Sequence, residues 1–202
     1  MKRLFLLGLL FLLPPALAQE PGPEELVKQI TSDVMTAIKT DKQLAAGDKQ
    51  KALKLAEEKI LPHIDFQEAT RLAVGRSWRQ ATPEQRKRLV DEFRSMLVRT
   101  YSNALEGYQG QEMKVLPSRI KPGDTEATVR NQFTRAGGKP VPLDYQMRKT
   151  DSGWKIYDIT VEGISLVLTY RSEFDQVVKQ EGVDGLIKRL GQKNTPAKVG
   201  KS

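Results

Sequence analysis

The sequence predicts an α+β domain, a curved antiparallel sheet of about four strands wrapped by amphipathic helices. Three observations carry that prediction. Apolar residues recur every three to four positions from Leu26 to about Tyr108, which is helical spacing. From about residue 113 to 161 they recur every second position, which is strand spacing. After Gly163 the helical spacing returns, and no linker or internal repeat divides the 202 residues.

The first helix is expected from about Glu24 to Thr40, with Leu26, Ile30, Val34 and Ile38 four apart on one face. Ala46-Gly47-Asp48 interrupts it. A second helix runs from about Lys49 to Leu61, with Leu53, Ala56 and Ile60 inward, and Pro62 ends it. Asp65 caps a third helix to about Gly75, with Leu72 on its apolar side. Thr82-Pro83-Glu84-Gln85 combines an N-cap threonine, a first-turn proline and a glutamine able to close a capping box. The helix it starts is the longest, with a stripe of Leu89, Phe93, Leu97, Tyr101 and Leu105 that ends between Gly107 and Gly110.

Residues 113–121 predict a first strand carrying Val115 and Ile120 and interrupted at Pro117. In the next, Ala127, Val129, Asn131 and Phe133 face one side and Thr128, Arg130, Gln132 and Thr134 the other. Gly137-Gly138 turns the chain into a third, where Val141, Leu143, Tyr145 and Met147 alternate with Asp144, Gln146 and Arg148. After the turn Asp151-Ser152-Gly153, the run from Trp154 to Val161 is apolar on both faces, which predicts a central or fully covered strand. Val167, Tyr170, Phe174 and Val178 then mark a helix that Gly182 breaks; Val183, Leu186, Ile187 and Leu190 form one more amphipathic turn. Residues 191–202 are a polar, basic tail expected to be disordered.

The N-terminus is a different kind of segment. Lys2 and Arg3 precede an apolar run from Leu4 to Leu13, Pro14 and Pro15 break it, and Ala16-Leu17-Ala18 follows. That pattern is a secretory signal peptide with cleavage expected after Ala18. The run is too short for a membrane anchor, which needs roughly 20 apolar residues. Cleavage leaves 184 residues as a single domain over 19–190 plus the tail, and lowers the formal charge from +8 to +6. No cysteine is present, so disulfides, thiolate metal sites and a lipobox are excluded and the core must hold the fold. The chain has one histidine, His63, which rules out multi-histidine metal sites.

Little in the residues points to catalysis. There is no GxSxG elbow, P-loop, GxGxxG or HExxH. Asp158 reads as an acceptor of hydrogen bonds near a turn, and Glu162 as solvated. Tyr145, Tyr157 and Asp158 are the one grouping that could imitate an isomerase pocket for an apolar substrate. Arg71, Arg76, Arg79, Arg86, Lys87, Arg88, Arg94 and Arg99 concentrate positive charge in the third and fourth helices. That is either a solvated face or a surface for anionic headgroups or an acidic partner. No nucleic-acid motif accompanies it.

Several strings resemble one family. They are Ile60-Leu61-Pro62-His63-Ile64-Asp65-Phe66, Ala69 to Gly75, Trp78-Arg79-Gln80-Ala81-Thr82-Pro83-Glu84-Gln85, and Tyr101-Ser102-Asn103-Ala104-Leu105 with Phe93 and Leu97 before it. Gly153 to Ile159, Val161 to Val167 and Tyr170-Arg171-Ser172-Glu173-Phe174 continue the series. The chain thereby resembles the MlaC family, also called toluene-tolerance auxiliary proteins. The resemblance implies an NTF2/cystatin-like cone enclosing an apolar cavity and a periplasmic phospholipid-binding protein. Such proteins carry glycerophospholipid between an outer-membrane lipoprotein complex and an inner-membrane ABC transporter complex with its substrate-binding subunit. The pathway maintains outer-membrane lipid asymmetry. It implies no cofactor beyond the bound phospholipid, and a monomer is expected.

Two acyl chains hold about 30 methylenes at about 0.8 kcal/mol each, so unaided transfer through water is very slow. A carrier must offer comparable apolar burial. The expected lining is Phe93, Leu97, Tyr101, Val129, Phe133, Tyr145, Met147, Ile156, Ile159, Val161, Ile164 and Val167. An enzyme acting on a lipidic substrate, or an adaptor with a filled core, is the rival expectation.

Overall fold

The computed structural model describes residues 20–101, 112–134 and 137–194. The expected signal peptide, the last turn of the long helix and the end of the tail lie outside them. Helix α1 spans Pro23–Thr40, with proline and two glutamates in its first turn, where the helix dipole favours them. Asp41 then caps a four-residue helix, α2 (Lys42–Ala45), accepting from Gln43 N and Leu44 N. No periodicity announces α2, because one turn is too short to show a period. Asp48 caps α3 (Lys49–Lys59) and Asp65 caps α4 (Phe66–Val74) in the same way. At the start of α5 (Pro83–Tyr101) the expected capping box forms: Gln85 N donates to Thr82 Oγ1 at 3.2 Å, and Thr82 N to Gln85 Oε1 at 3.0 Å. Helix α6 (Arg171–Asn194) runs across a kink at Gly182, φ 72°, where the sequence places a break. It also takes up residues 191–194 of the expected tail.

The sheet has five antiparallel strands in chain order: β1 (Glu112–Val115), β2 (Glu126–Thr134), β3 (Val141–Thr150), β4 (Gly153–Val161) and β5 (Ile164–Ser165). The expected number was about four. The fifth has only two residues, joined to β4 by Glu162 and Gly163, both at positive φ (50° and 84°), the pattern of a type I′ turn.

Register assigns the faces. Val129 pairs with Tyr145, Ala127 with Met147, Met147 with Ile156, and Tyr145 with Ile159. Directly paired residues share a face. Between the last two pairs the register shifts, and Tyr157 is the extra residue of a β-bulge. The bulge resets the alternation, so Trp154, Ile156, Ile159 and Val161 all lie on one face. The expected two-faced strand is therefore one-faced with a bulge. The opposite face carries Thr128, Arg130, Asp144, Gln146, Arg148 and Asp158.

Three apolar clusters result. Leu26 and Val27 of α1 pack on Val129, Met147, Trp154 and Ile156 of the sheet. Farther along α1, Val34 and Ile38 pack on Leu44, Ala52 and Leu55. Helices α4, α5 and α6 form the largest cluster around Ala73, Leu89, Phe93, Phe174 and Leu186. There Phe93 stands edge-on to Tyr170 and Phe174, with centroids 5.4 and 5.3 Å away.

Two polar devices join that helical layer to the sheet. Arg148 bridges to Glu68 (2.9 Å) and Asp65 (3.5 Å), and Asp65 N donates to Ile156 O at 2.7 Å. The buried Asp158 carboxylate accepts from Ile159 N (2.8 Å), Val167 N (3.1 Å) and the Ser165 hydroxyl, fixing the corner after β4.

Asp158→Ala leaves two amide N–H groups unpaired and should cost about 2–3 kcal/mol in urea unfolding. Asp158→Asn keeps one acceptor oxygen and should cost less than half of that; equal losses would contradict the account. Arg71, then Arg148, holds the Glu68 carboxyl below its ordinary range. A depressed carboxylate contributes stability above its unfolded pKa and loses it as pH falls through the folded value. Glu68→Gln should accordingly flatten the fall in Tm expected of the parent as the pH drops below the ordinary glutamate range.

Candidate functional site

The apolar face of the sheet is covered unequally along its length. At one end Val129 and Met147 are fully buried and Ile156 nearly so, under Leu26 and Val27. Two residues along the strands come Asn131, Tyr145 and Ile159. At the far end Phe133, Leu143 and Val161 lie on the same face and are only half-buried. None of these last three belongs to a packed cluster. Beyond them Ile164 is 62 % exposed, and Leu168 and Tyr101 are exposed as well. The described residues leave this end open; they do not close the cavity that the resemblance implies.

Polar groups stand in the middle of this face. Asn131 is 1 % exposed. Its Nδ2 donates to Val129 O at 2.9 Å, and among the described residues its Oδ1 has no partner. The amide orientation is fixed by chemistry, because a backbone carbonyl only accepts. A buried carbonyl without a donor costs about 1–3 kcal/mol. Tyr145 is set deep enough that burial pushes its phenol up to about 12, yet part of its side chain stays accessible. Tyr145 packs against the cluster formed by Val129, Met147 and Ile156. Its hydroxyl reaches only the thioether of Met113, at 3.7 Å. Thr31 Oγ1 approaches the same sulfur at 3.5 Å.

Met113 also lines an open groove of about 560 Å³ between α1 and β1. Lys28, Thr31, Ser32, Met35 and Lys39 line one side, and Glu112, Lys114 and Val115 the other.

The expected lining divides in two. Val129, Phe133, Tyr145, Met147, Ile156, Ile159 and Val161 share the apolar face. Phe93, Leu97 and Val167 belong instead to the cluster of α4, α5 and α6. Tyr101 sits at the edge of that cluster, its hydroxyl 3.5 Å from that of Tyr170, with its phenol raised by burial and by this contact. Ile164, the first residue of β5, pairs with Val161 and so lies on the same face, but it is largely exposed. Met113 and Leu143 were not among the expected residues. Leu143 was legible in the alternation of its strand; Met113 was not, because β1 is too short to establish a face.

The other candidate chemistries disperse. Tyr145 and Asp158 point to opposite faces of the sheet, and Asp158 is occupied by backbone. His63 lies in a short 3-10 turn, where burial and the nearby Lys155 lower its pKa. Much of the arginine cluster serves the fold: Arg71 pairs with Glu68, Lys87 with Asp91, Arg86 stacks on Trp78 and Arg94 on Phe66.

An α+β scaffold whose described residues seal a one-sided apolar sheet at one end and leave it open at the other is the architecture of a domain suited to an apolar ligand. The model of the MlaC protein family matches residues 28–192, and the chain belongs to that family. It is 25% identical to the toluene tolerance protein ttg2D of Pseudomonas putida over 180 residues, 89% of this chain and 83% of that protein. It is 21% identical to the intermembrane phospholipid transport system binding protein MlaC of Haemophilus influenzae over 185 residues, 90% and 86% of the two chains. A solved phospholipid-binding protein of Ralstonia solanacearum, in complex with a phospholipid, is 40% identical, with a TM-score of 0.78 over 86% of this chain and 97% of its own.

Asn131→Leu removes a buried acceptor that the protein leaves unpaired. In lipid-free protein it should raise stability by about 0.5–1 kcal/mol. A loss of 2 kcal/mol or more in urea unfolding would show that the amide is an ordinary structural hydrogen bond.

Proposed function

We propose that this chain is a periplasmic phospholipid carrier, moving glycerophospholipids between an outer-membrane lipoprotein complex and an inner-membrane ABC transporter complex. In that role it serves outer-membrane lipid asymmetry. The observation that carries this reading is the unequal cover of the sheet. A face that continues as Phe133, Leu143 and Val161 past the helix packed on it has apolar surface to give a ligand. Acyl chains are the ligand that such a surface suits, since each buried methylene stabilises the complex by about 0.8 kcal/mol. The 40% identical relative solved with a phospholipid supports the same ligand class. Among the described residues no helix is long and apolar enough to cross a membrane, which accords with a carrier that moves between membranes. No nucleotide-binding motif stands in the sequence, so a net direction of transport would come from a partner that hydrolyses nucleotide.

The test is native mass spectrometry of protein purified from cells. The parent should carry phospholipid. Phe133→Glu and Val161→Glu should lose it while staying folded, with stability changed by about 1 kcal/mol or less. Val129→Glu, at a fully buried position, should unfold the domain instead. Parent protein that comes clean of lipid and takes up none on titration would end the carrier reading.

A further inference from the structure

We infer that the outer edge of β1, with the groove it forms against α1, seats an extended acidic segment of another protein, which joins the sheet as a further strand. The inference does not rest on the carrier reading. It concerns the backbone at the edge of the sheet and stands whatever ligand the apolar face takes.

Among the described residues β1 is the first strand of the sheet and has a neighbour on one side only. The register decides which of its groups are left over. Leu116 N donates to Arg130 O at 2.8 Å, which marks that pair as hydrogen-bonded across the ladder. Alternation then makes Lys114–Gln132 and Glu112–Thr134 hydrogen-bonded pairs, while Met113 and Val115 turn their N–H and C=O groups away from β2. Two donors and two acceptors therefore stand along the edge at the spacing of a strand ladder. Helix α1 runs alongside. Glu24 Oε1 accepts from Ser118 N at 2.6 Å, and Thr31 Oγ1 reaches the Met113 sulfur at 3.5 Å, so helix and strand run in opposite directions. The open groove of about 560 Å³ lies between them, and all four residues of β1 border it.

Side chains select the occupant. An added strand points alternate side chains to the two faces of the sheet. On the α1 side it meets half-buried Met35, Met113 and Val115, with Lys28 and Lys39 beyond them. Seven and four residues separate Lys28, Met35 and Lys39, so the three lie within about 40° of one another round the helix. The backbones of the two lysines are roughly 16 Å apart along the axis, too far to hold one small anion together and the span of about five strand residues. On the other face the added strand meets Lys114, the partner of Gln132. All three lysines are exposed, and none makes an ion pair among the described residues. Glu112 is the one acid on the lining. Lysine on an edge deters pairing with strands that do not neutralise it. A second copy brings the same lysines, and the sequence beyond Asn194 carries Lys198 and Lys201 and no acid, so charge opposes both. An acidic strand from a different protein satisfies the backbone and the charge together.

The test uses the full mature chain and labelled peptides of about seven residues, long enough to cover the groove. One alternates glutamate and valine with glutamate at both ends, and another has lysine in place of glutamate. Fluorescence anisotropy should show the parent binding the acidic peptide about tenfold more tightly than the basic one, and Lys28→Gln, Lys39→Gln, Lys114→Gln together should lose about tenfold. Arg76→Gln, Arg79→Gln, Arg88→Gln removes the same charge from exposed positions on the helical layer and should leave binding intact. N-methylation of the acidic peptide tests the backbone. Of its two alternating sets of amides only one can face β1, so methylating that set should weaken binding about tenfold and the other set about threefold or less. Amide exchange at Met113 and Val115 should slow when the acidic peptide saturates the protein. Absent binding, no preference for the acidic peptide, equal effects of the two methylated sets, or an arginine variant that loses as much as the lysine variant each overturn the inference. Met113 and Val115 amides already slow in the free monomer, or slowed by raising protein concentration alone, overturn it in favour of the chain's own tail or a second copy. Failure of the protein to take up lipid would leave it standing.

Discussion

Among the described residues, the apolar face of the sheet is longer than the helix surface that covers it, and most of the structure follows from that mismatch. Only the first turns of α1 lie on the sheet, through Leu26, Val27 and Ile30. From Val34 onward the same helix turns its apolar stripe to α2 and α3. One helix therefore serves two cores and cannot cover the whole of either. Fully burying an aliphatic or aromatic side chain is worth about 1.5–3 kcal/mol relative to leaving it exposed. A face whose last apolar residues stay half-covered thus keeps a few kcal/mol of unrealised burial, which an apolar ligand would supply under the proposed function.

The rest of the fold keeps that face open. If α4, α5 and α6 collapsed onto the far end of the sheet, the vacancy would fill with protein. They are held off by their own core, with Phe93 edge-on to the stacked pair Tyr170 and Phe174 at its centre, and by tethers on the polar side and edge of the sheet. Arg148 reaches α4 from the polar face, and Asp158 anchors the backbone leading into α6 from the same side. Both are charged groups holding partners a fixed distance away, which apolar contact alone does not do. A cluster packed on itself and strutted from behind leaves the front of the sheet free.

Much of this was legible in the sequence, and the misses have definite causes. Caps were readable because they are local: Asp65 and the Thr82–Gln85 box bond to backbone within three residues, as their spacing requires. The faces of β2 and β3 were readable because an uninterrupted strand alternates. β4 was misread because the extra residue at Tyr157 inverts the alternation, and nothing in the string marks a bulge. β5 and α2 escaped because two and four residues carry no period. Within the expected lining, the strand residues share a face because that is a property of each strand. The division between solid core at Val129 and open surface at Phe133 is set by where α1 departs from the sheet, and Phe93 and Val167 fall elsewhere because α5 and α6 pack on each other. Those are tertiary facts that no single segment encodes.

Asn131 shows how the site differs from an unfinished core. A leucine in its place would pack against Leu143 and Val115 and spare the protein an unpaired buried carbonyl. Stability alone would favour that change. A polar group at the boundary between the solid and the open parts of a greasy surface has a different use: it offers a bound water, or a polar atom of the ligand, a place to stop. Tyr145 beside it, deep but not fully covered, has the complementary donor. On the carrier reading, the two would mark the limit at which the lipid's polar linkage stops and beyond which hydrocarbon meets hydrocarbon. A filled core has no need of such a limit, whereas a carrier that takes up an amphipathic molecule in one orientation does.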